Sequence, residues 1–354
     1  MTASRYRLNI LFFMALMVLI GACATVRDTS ARAEPNPDGR LVRILVIEGA
    51  DDIRLRGAKA LGGAVSVVST SKGRVDIKGR ELKLPLRFHP TGTFIYVNDR
   101  PFRGVVEVRD DAKGLLIINE LPLERYIVGI INNEISSKWP VNAIKAQVVA
   151  ARTYALYQIE KRKADIYHLK ATYMDQVYTG AGKEDYVSAR AVIATRGEVL
   201  YYGKRPALTL YHSSAGGVTE ASKDVWGNAY PYLRSVKSRF DKGAPNYKWT
   251  YTVSKESFTK ALKKKGYGDL GSVKGVKVSL KSRTGRVKGI TINGKRGSKD
   301  ITGESMRAML GYGKLKSTLF KVRNKRNAIV FTGRGSGHGV GMSQWGAKGM
   351  ADSG

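Results

Sequence analysis

Between Leu41 and about Asp110, apolar and polar positions alternate in short runs separated by turn residues. Leu41-Val42-Arg43-Ile44-Leu45-Val46-Ile47, Ala64-Val65-Ser66-Val67-Val68 and Thr93-Phe94-Ile95-Tyr96-Val97 read as strands. Lys72-Gly73-Arg74 and Asn98-Asp99-Arg100-Pro101 supply turns between such runs. The period then changes. Leu121-Pro122-Leu123-Glu124 opens a helix in which Leu123, Tyr126, Ile127, Ile130 and Ile131 recur at helical spacing. Trp139-Pro140 ends the connection, and the spacing predicts a longer helix from Val141 to Lys161. Its Ala143, Ala146, Ala150 and Ala151 form a side small enough for close packing. A third helix is predicted at Ser188–Thr195, followed by strands around Val199 to Tyr211. Mixed helix and strand signals fill the lysine-rich stretch Phe240 to Lys325, and Gly333 to Met342 is too glycine-dense for regular structure. The expected fold is α+β: many short strands packed around a helical hairpin. A smaller β-rich section at residues 41–102 precedes a core at 103–354.

The N-terminus carries an address. Arg5 and Arg7 precede an apolar stretch from Leu8 to Ile20 broken only by Asn9, and Gly21-Ala22-Cys23 follow. Residues 1–22 read as a signal peptide, since the apolar part is shorter than the about 20 residues of a membrane span. Its end fits a lipobox whose Cys23 is lipidated after cleavage, while an ordinary cleaved signal with an incidental cysteine is the other reading. Cys23 is the single cysteine of the chain, so no disulfide or internal thiolate metal site is available. Residues 23–40, with Pro35, Pro37 and Gly39, read as a tether. The expected location is outside a bacterial membrane, lipid-anchored, in the periplasm or cell wall. Against that location the charge acquires meaning: 61 Lys and Arg oppose 29 Asp and Glu, a net +32 over 354 residues. Such a field attracts polyanions. Export argues against nucleic acid and favours an acidic wall polymer or a lipid surface, although runs such as Lys260–Lys265 and Lys314–Arg326 are most often only solvated faces.

Glu134, in Ile130-Ile131-Asn132-Asn133-Glu134-Ile135, falls at the end of the first predicted helix. A carboxyl among apolar neighbours is desolvated, which raises its pKa and suits a general acid; the competing reading is a solvated helix glutamate. Ordinary glycosidases need a second carboxylate. Asp175, Glu220 and Asp224 are available, but spacing places none of them. Transglycosylation removes that need, because one glutamate acts as acid and then as base. Tyr211-His212-Ser213-Ser214-Ala215-Gly216-Gly217 lacks the Gly-x-Ser-x-Gly elbow of a serine hydrolase. A sugar-contacting role for the loop and simple turn residues stand beside each other. The glycines around His338 fit neither a phosphate loop nor a dinucleotide fingerprint; they suit close approach to a ligand or a tight structural crossing. His89, His168, His212 and His338 are scattered without i,i+4 pairing, so no metal is expected.

Seven blocks in order resemble the stage II sporulation protein D family (SpoIID/LytB, amidase enhancer) from about Arg103 to the end. They are Leu121-Pro122-Leu123-Glu124-Arg125-Tyr126, Asn133-Glu134-Ile135 with Trp139-Pro140, Ala143 to Ala155, Asp175-Gln176-Val177-Tyr178-Thr179-Gly180, His212 to Gly217, Asp224-Val225-Trp226-Gly227 with Pro231-Tyr232-Leu233, and Gly335 to Ala347. The resemblance implies a peptidoglycan lytic transglycosylase preferring strands stripped of stem peptides, with Glu134 catalytic. It implies that Arg152, Gln176, Tyr178, His212, Ser213, Ser214, His338, Ser343 and Gln344 line the cleft. Some relatives carry a Cys/His zinc site before the Asp-Gln-Val-Tyr segment; Tyr167 to Met174 has no cysteine, so no zinc and no other cofactor is expected. The family's members usually run beyond the Ala351–Gly354 ending, and a truncated C-terminus is one reading of it. The alternative function is a non-catalytic wall-binding protein that stimulates a cell-wall amidase. Partners expected on either reading are glycan strands, an amidase and, through the anchor, a membrane, but not nucleic acid.

Overall fold

The helical hairpin forms in the computed structural model, which describes residues 39–59, 61–267 and 270–354. Cys23 and the whole signal segment lie outside the described residues. Helix α1 is Leu123–Glu134 and α2 is Val141–Lys161. Pro122 and Pro140 stand immediately before them, where a missing N–H removes no helical bond. Leu123, Tyr126, Ile127, Ile130 and Ile131 point into the core as their spacing requires, and Val128 and Gly129 are buried as well. On α2, Ala143, Ala150 and Ala151 are buried, whereas Ala146 is exposed.

The remaining helices are α3 (Tyr186–Ala194), α4 (Ser222–Trp226), α5 (Lys255–Lys264), α6 (Gly303–Leu310) and α7 (Gln344–Asp352). Helix α3 begins two residues before the predicted Ser188. Asp185 caps it, its carboxylate accepting from Ser188 N at 2.8 Å in a capping box. Among the described residues ten strands precede α1, helices and strands then intermingle, and the fold is α+β.

The strand Leu41–Ala50 pairs antiparallel with Gly114–Pro122, which leads directly into α1. These two belong to a five-stranded sheet; a six-stranded sheet is drawn from residues 52–102. One apolar core joins both sheets to the hairpin, running from Val42, Ile53 and Ile95 through Ile117 and Ile130 to Val148 and Val192. A second core holds Trp249, Phe258, Ile290, Ile292, Met306, Phe320 and Phe331. It is built from two three-stranded sheets with α5 and α6, which resolves the mixed signals of the lysine-rich stretch.

Two predicted boundaries change. The strands expected around Val199 to Tyr211 reduce to the short pieces Tyr201–Tyr202, Arg205–Pro206 and Tyr211–His212, because this segment forms no long ladder with a neighbour. The glycine-dense stretch is less irregular than expected. Gly333 and Arg334 complete the strand Ala328–Arg334, and Met342–Ser343 pairs in parallel with Tyr211–His212. The crossing is tight: Gly341 has φ +75°, and a Cβ there would collide with the Leu210 carbonyl oxygen.

Candidate active site

Glu134 is the last residue of α1, so its carboxyl stands where the helix leaves its terminal carbonyls pointing outward. The negative end of the helix dipole disfavours a carboxylate there. The residue is half-buried. Burial raises its pKa above the ordinary 4.5, and three neutral donors pull the other way without reversing the shift. They are Val177 N, donating to Oε1 at 3.2 Å, the Tyr211 hydroxyl and the Gln344 carboxamide. Each arrives from a different part of the chain: the Asp-Gln-Val-Tyr loop, the short Tyr211–His212 strand and the first turn of α7. A solvated helix glutamate would show none of this.

The carboxyl opens into a cleft of about 530 Å³ lined by Asn133, Ser136, Ser137, Trp139 and Trp345. The two tryptophan rings meet edge to face with centroids 5.0 Å apart. Glu134 is the only carboxylate among the described residues lining this cleft. Asp175 lies two positions before Val177 but is held by Tyr154 Oη at 2.8 Å, Lys170 N at 2.8 Å and Arg162 Nη1 at 3.1 Å. Glu220 is buried and accepts from Ala221 N and the Ser282 and Thr284 hydroxyls, and Asp224 pairs with Lys288 at 3.0 Å.

The other residues implied by the resemblance divide into two groups. Gln344 meets the carboxyl directly, and Gln176 is linked to it through the Tyr211 hydroxyl. Gln176 is buried and donates to Ala151 O at 3.2 Å and to the Tyr211 hydroxyl at 3.1 Å while accepting from Tyr126. This leaves the Tyr211 hydrogen for Glu134. Gln344 also donates to Gln147 Oε1 at 3.3 Å. Ser343 caps α7 by accepting from Gly346 N at 3.1 Å, and Ser213 O accepts from Trp345 N at 3.0 Å, fixing one wall of the cleft.

The second group is built into the frame. Arg152 is 1% exposed and grips Glu124 with two bonds of 2.7 Å, its remaining donors meeting Thr195 Oγ1, Val192 O and Glu198 O. Tyr178 packs edge to face against Phe102 and Tyr126 and donates to Asn119 Oδ1 at 2.8 Å. Ser214 donates to Asp241 Oδ2 at 3.1 Å. His212 and His338 are neighbours, ring centroids 5.5 Å apart. Burial pushes His338 down to about 4, and burial followed by the charges of His338 and Arg286 pushes His212 well below its ordinary value. Both are neutral at neutral pH. Val340 N donates to His338 Nδ1, so Nε2 carries the proton and donates to Tyr211 O at 3.0 Å. His212 Nδ1 meets Val340 O at 3.0 Å and donates to it. The pair thus ties the glycine-rich crossing to the strand that presents Tyr211.

Tyr211, Trp139 and Trp345 were not singled out by residue-level reading. All three stand inside or beside the matched blocks, but attention to histidines and hydroxyls hides an aromatic next to them.

Residues 111–202 match the family model described as stage II sporulation protein, and residues 232–341 match a domain of unknown function, DUF8618. An uncharacterized protein of Brachyspira hyodysenteriae is 35% identical over 239 residues, 67% of this chain and 63% of that protein. Stage II sporulation protein D of Bacillus subtilis is 32% identical over 261 residues, 67% of this chain and 71% of its own. The amidase enhancer of Bacillus subtilis is 31% identical over 273 residues, 64% of this chain but 37% of its own. Tyr211 and Gln344 meet the Glu134 carboxyl, the family model covers the hairpin that carries Glu134, and at 32% identity over 71% of stage II sporulation protein D the chain belongs to the stage II sporulation protein D family.

Proposed function

We propose that this protein cleaves peptidoglycan glycan strands as a lytic transglycosylase, working at the cell wall after export. The observation that carries the reading is a single carboxyl of raised pKa, surrounded only by neutral donors, in a cleft without a second free carboxylate. The raised pKa enlarges the share of the acid form over that of an ordinary glutamate, and this form gives its proton to the glycosidic oxygen as the C1–O bond breaks. The resulting carboxylate then takes the proton of the sugar's own 6-hydroxyl, and O6 bonds to C1. The carboxyl is restored and no water is consumed. Val177 N, Tyr211 and Gln344 hold the carboxylate between the two steps, and the Trp139–Trp345 pair offers apolar surface to sugar C–H groups. Strands stripped of stem peptides are the expected substrate. The signal peptide and Cys23 support export and a lipid anchor.

The test is product analysis: purified stripped strands are incubated with the protein, and 1,6-anhydro-muramyl ends are sought by mass spectrometry. Anhydro ends from the native chain and none from Glu134→Gln are expected. Equal release by both removes Glu134 from the reaction.

A second reading, stimulation of a wall amidase without cleavage, is favoured by the amidase-enhancer relative. It requires that stimulation survive Glu134→Gln while the native chain releases no anhydro ends.

A further inference from the structure

The charge of the chain is not evenly spread. Residues 232–341 hold 27 Lys and Arg against 5 Asp and Glu, so about two thirds of the net +32 falls on under a third of the sequence. Within that segment the strands Lys248–Ser254, Ala328–Arg334 and Phe320–Asn324 form one antiparallel sheet. Trp249, Phe320 and Phe331 turn inward to the second core. The opposite face lies exposed, and its register places Lys248 directly across from Arg334, and Thr250 and Lys321 on either side of Thr332. Like charges directly opposite on a sheet are destabilising. Among the described residues no carboxylate pairs with either of them.

The same side chains, with Lys281 from the adjoining hairpin, line a groove of about 750 Å³ that contains no Asp or Glu. Among the described residues, none of these four cations has a carboxylate within ion-pair distance. Their exposure also leaves the heads hydrated and free to meet a charged ligand. The groove offers the facing pair Lys248 and Arg334, two further lysines and threonine hydroxyls. No helix N-terminus and no exposed aromatic face lines it, so it lacks the convergent backbone donors of a phosphate cradle and the stacking surfaces of a nucleobase site. A groove of cations with no carboxylate among them complements a regular polyanion. The Arg334 end of the strand runs on through His338 to Gln344, whose carboxamide reaches Glu134.

We propose that this groove binds the lactyl carboxylates of glycan strands from which the stem peptides have been removed. Hydrolysis of the amide between the lactyl group and the first amino acid leaves a free carboxylate on each muramic acid, so the stripped strand is a regular polyanion. The groove is then the feature that selects stripped strands, separately from the cleft that cuts them. The proposal rests on the glycan reading above.

The experiment measures fluorescence anisotropy of labelled stripped strands with the full chain carrying Glu134→Gln, so that nothing is cut. A second set of strands has its carboxyls converted to methylamides. Lys248→Ser with Arg334→Ser is expected to weaken binding to the carboxylate strands about 10-fold, and Lys321→Glu about 5-fold, with the loss shrinking at high salt. The methylamide strands are expected to bind as weakly as the double variant does and to ignore all three substitutions. Lys248→Arg with Arg334→Lys is expected to retain binding. Equal affinity for both strand types overturns the proposal, as does a double variant of unchanged melting temperature that binds normally. A phosphodiester polymer of equal charge that displaces the strands more tightly, and does so only with the groove intact, also overturns it. Charge-dependent binding without anhydro products from the native chain sinks the cleavage reading and leaves the groove. Anhydro products with charge-indifferent binding do the reverse.

Discussion

Two glutamates of the same half of the molecule are withdrawn from water, and their environments drive them in opposite directions. Glu107, 1% exposed, sits on the five-stranded sheet beside Glu120 among Arg43, Arg87 and Arg109. Arg43 reaches Glu107 at 3.1 Å and Glu120 at 2.6 Å, and Arg87 reaches them at 2.7 and 2.5 Å. Burial alone pushes Glu107 up, but the guanidinium bonds and charges outweigh it, and the carboxylate ends below its ordinary pKa. Glu134 has an amide N–H, a phenol and a carboxamide instead, all neutral, and burial wins. Desolvation is common to both; the charge of the donors decides between a permanent structural anion and a carboxyl able to give and take a proton.

The difference has opposite signatures in stability. The raised pKa of Glu134 contributes stability that is present below the unfolded value and is lost as pH rises through the folded one. The lowered pKa of Glu107 contributes stability present above the unfolded value and lost as pH falls through the folded one.

The largest expected effect comes from Glu134→Gln. It lowers the rate of anhydro-end formation about 10³-fold, read by product quantification, and leaves the fold at least as stable at neutral pH in a urea titration. Next, Arg43→Met leaves Glu107 and Glu120 short of a cation and costs about 3 kcal/mol in urea unfolding at neutral pH. That loss shrinks as the medium is acidified toward the carboxyl range, and the folded fraction keeps its rate. A smaller effect follows from giving Glu134 the kind of neighbour Glu107 has. Gln344→Lys brings a cation to the carboxyl, lowers its pKa and depletes the acid form at neutral pH. The neutral rate falls about 30-fold, and the optimum of the kcat/KM profile moves to lower pH. Smallest is Tyr211→Phe, which removes one donor from the carboxylate. The rate falls about 5-fold and the optimum moves to higher pH, opposite to Gln344→Lys.

Much of the hairpin was legible in the sequence. Apolar spacing and Pro140 gave α2 its observed ends, and the position of Glu134 at the close of α1 follows from the same pattern. Local pattern carries no information about partners far along the chain. Arg152 finds Glu124, Tyr211 finds Gln176, and Gln344 finds Gln147, and each pairing depends on how separate segments fold together. The arginine cage is invisible for the same reason, since Arg43, Arg87, Glu107 and Glu120 come from four strands. The stretch from Val199 to Tyr211 misled because its apolar residues pack beneath α2 and beside the Gly341 crossing without long ladders. Strand-like composition reports burial there rather than pairing.

The most direct measurement is the titration of Glu134 itself, followed by the carboxyl ¹³C shift that is present in the native protein and missing from Glu134→Gln. A midpoint above the ordinary 4.5, falling when Gln344 is replaced by Lys, is the expected result. A midpoint at or below 4.5 in the native protein contradicts the assignment of Glu134 as the proton donor.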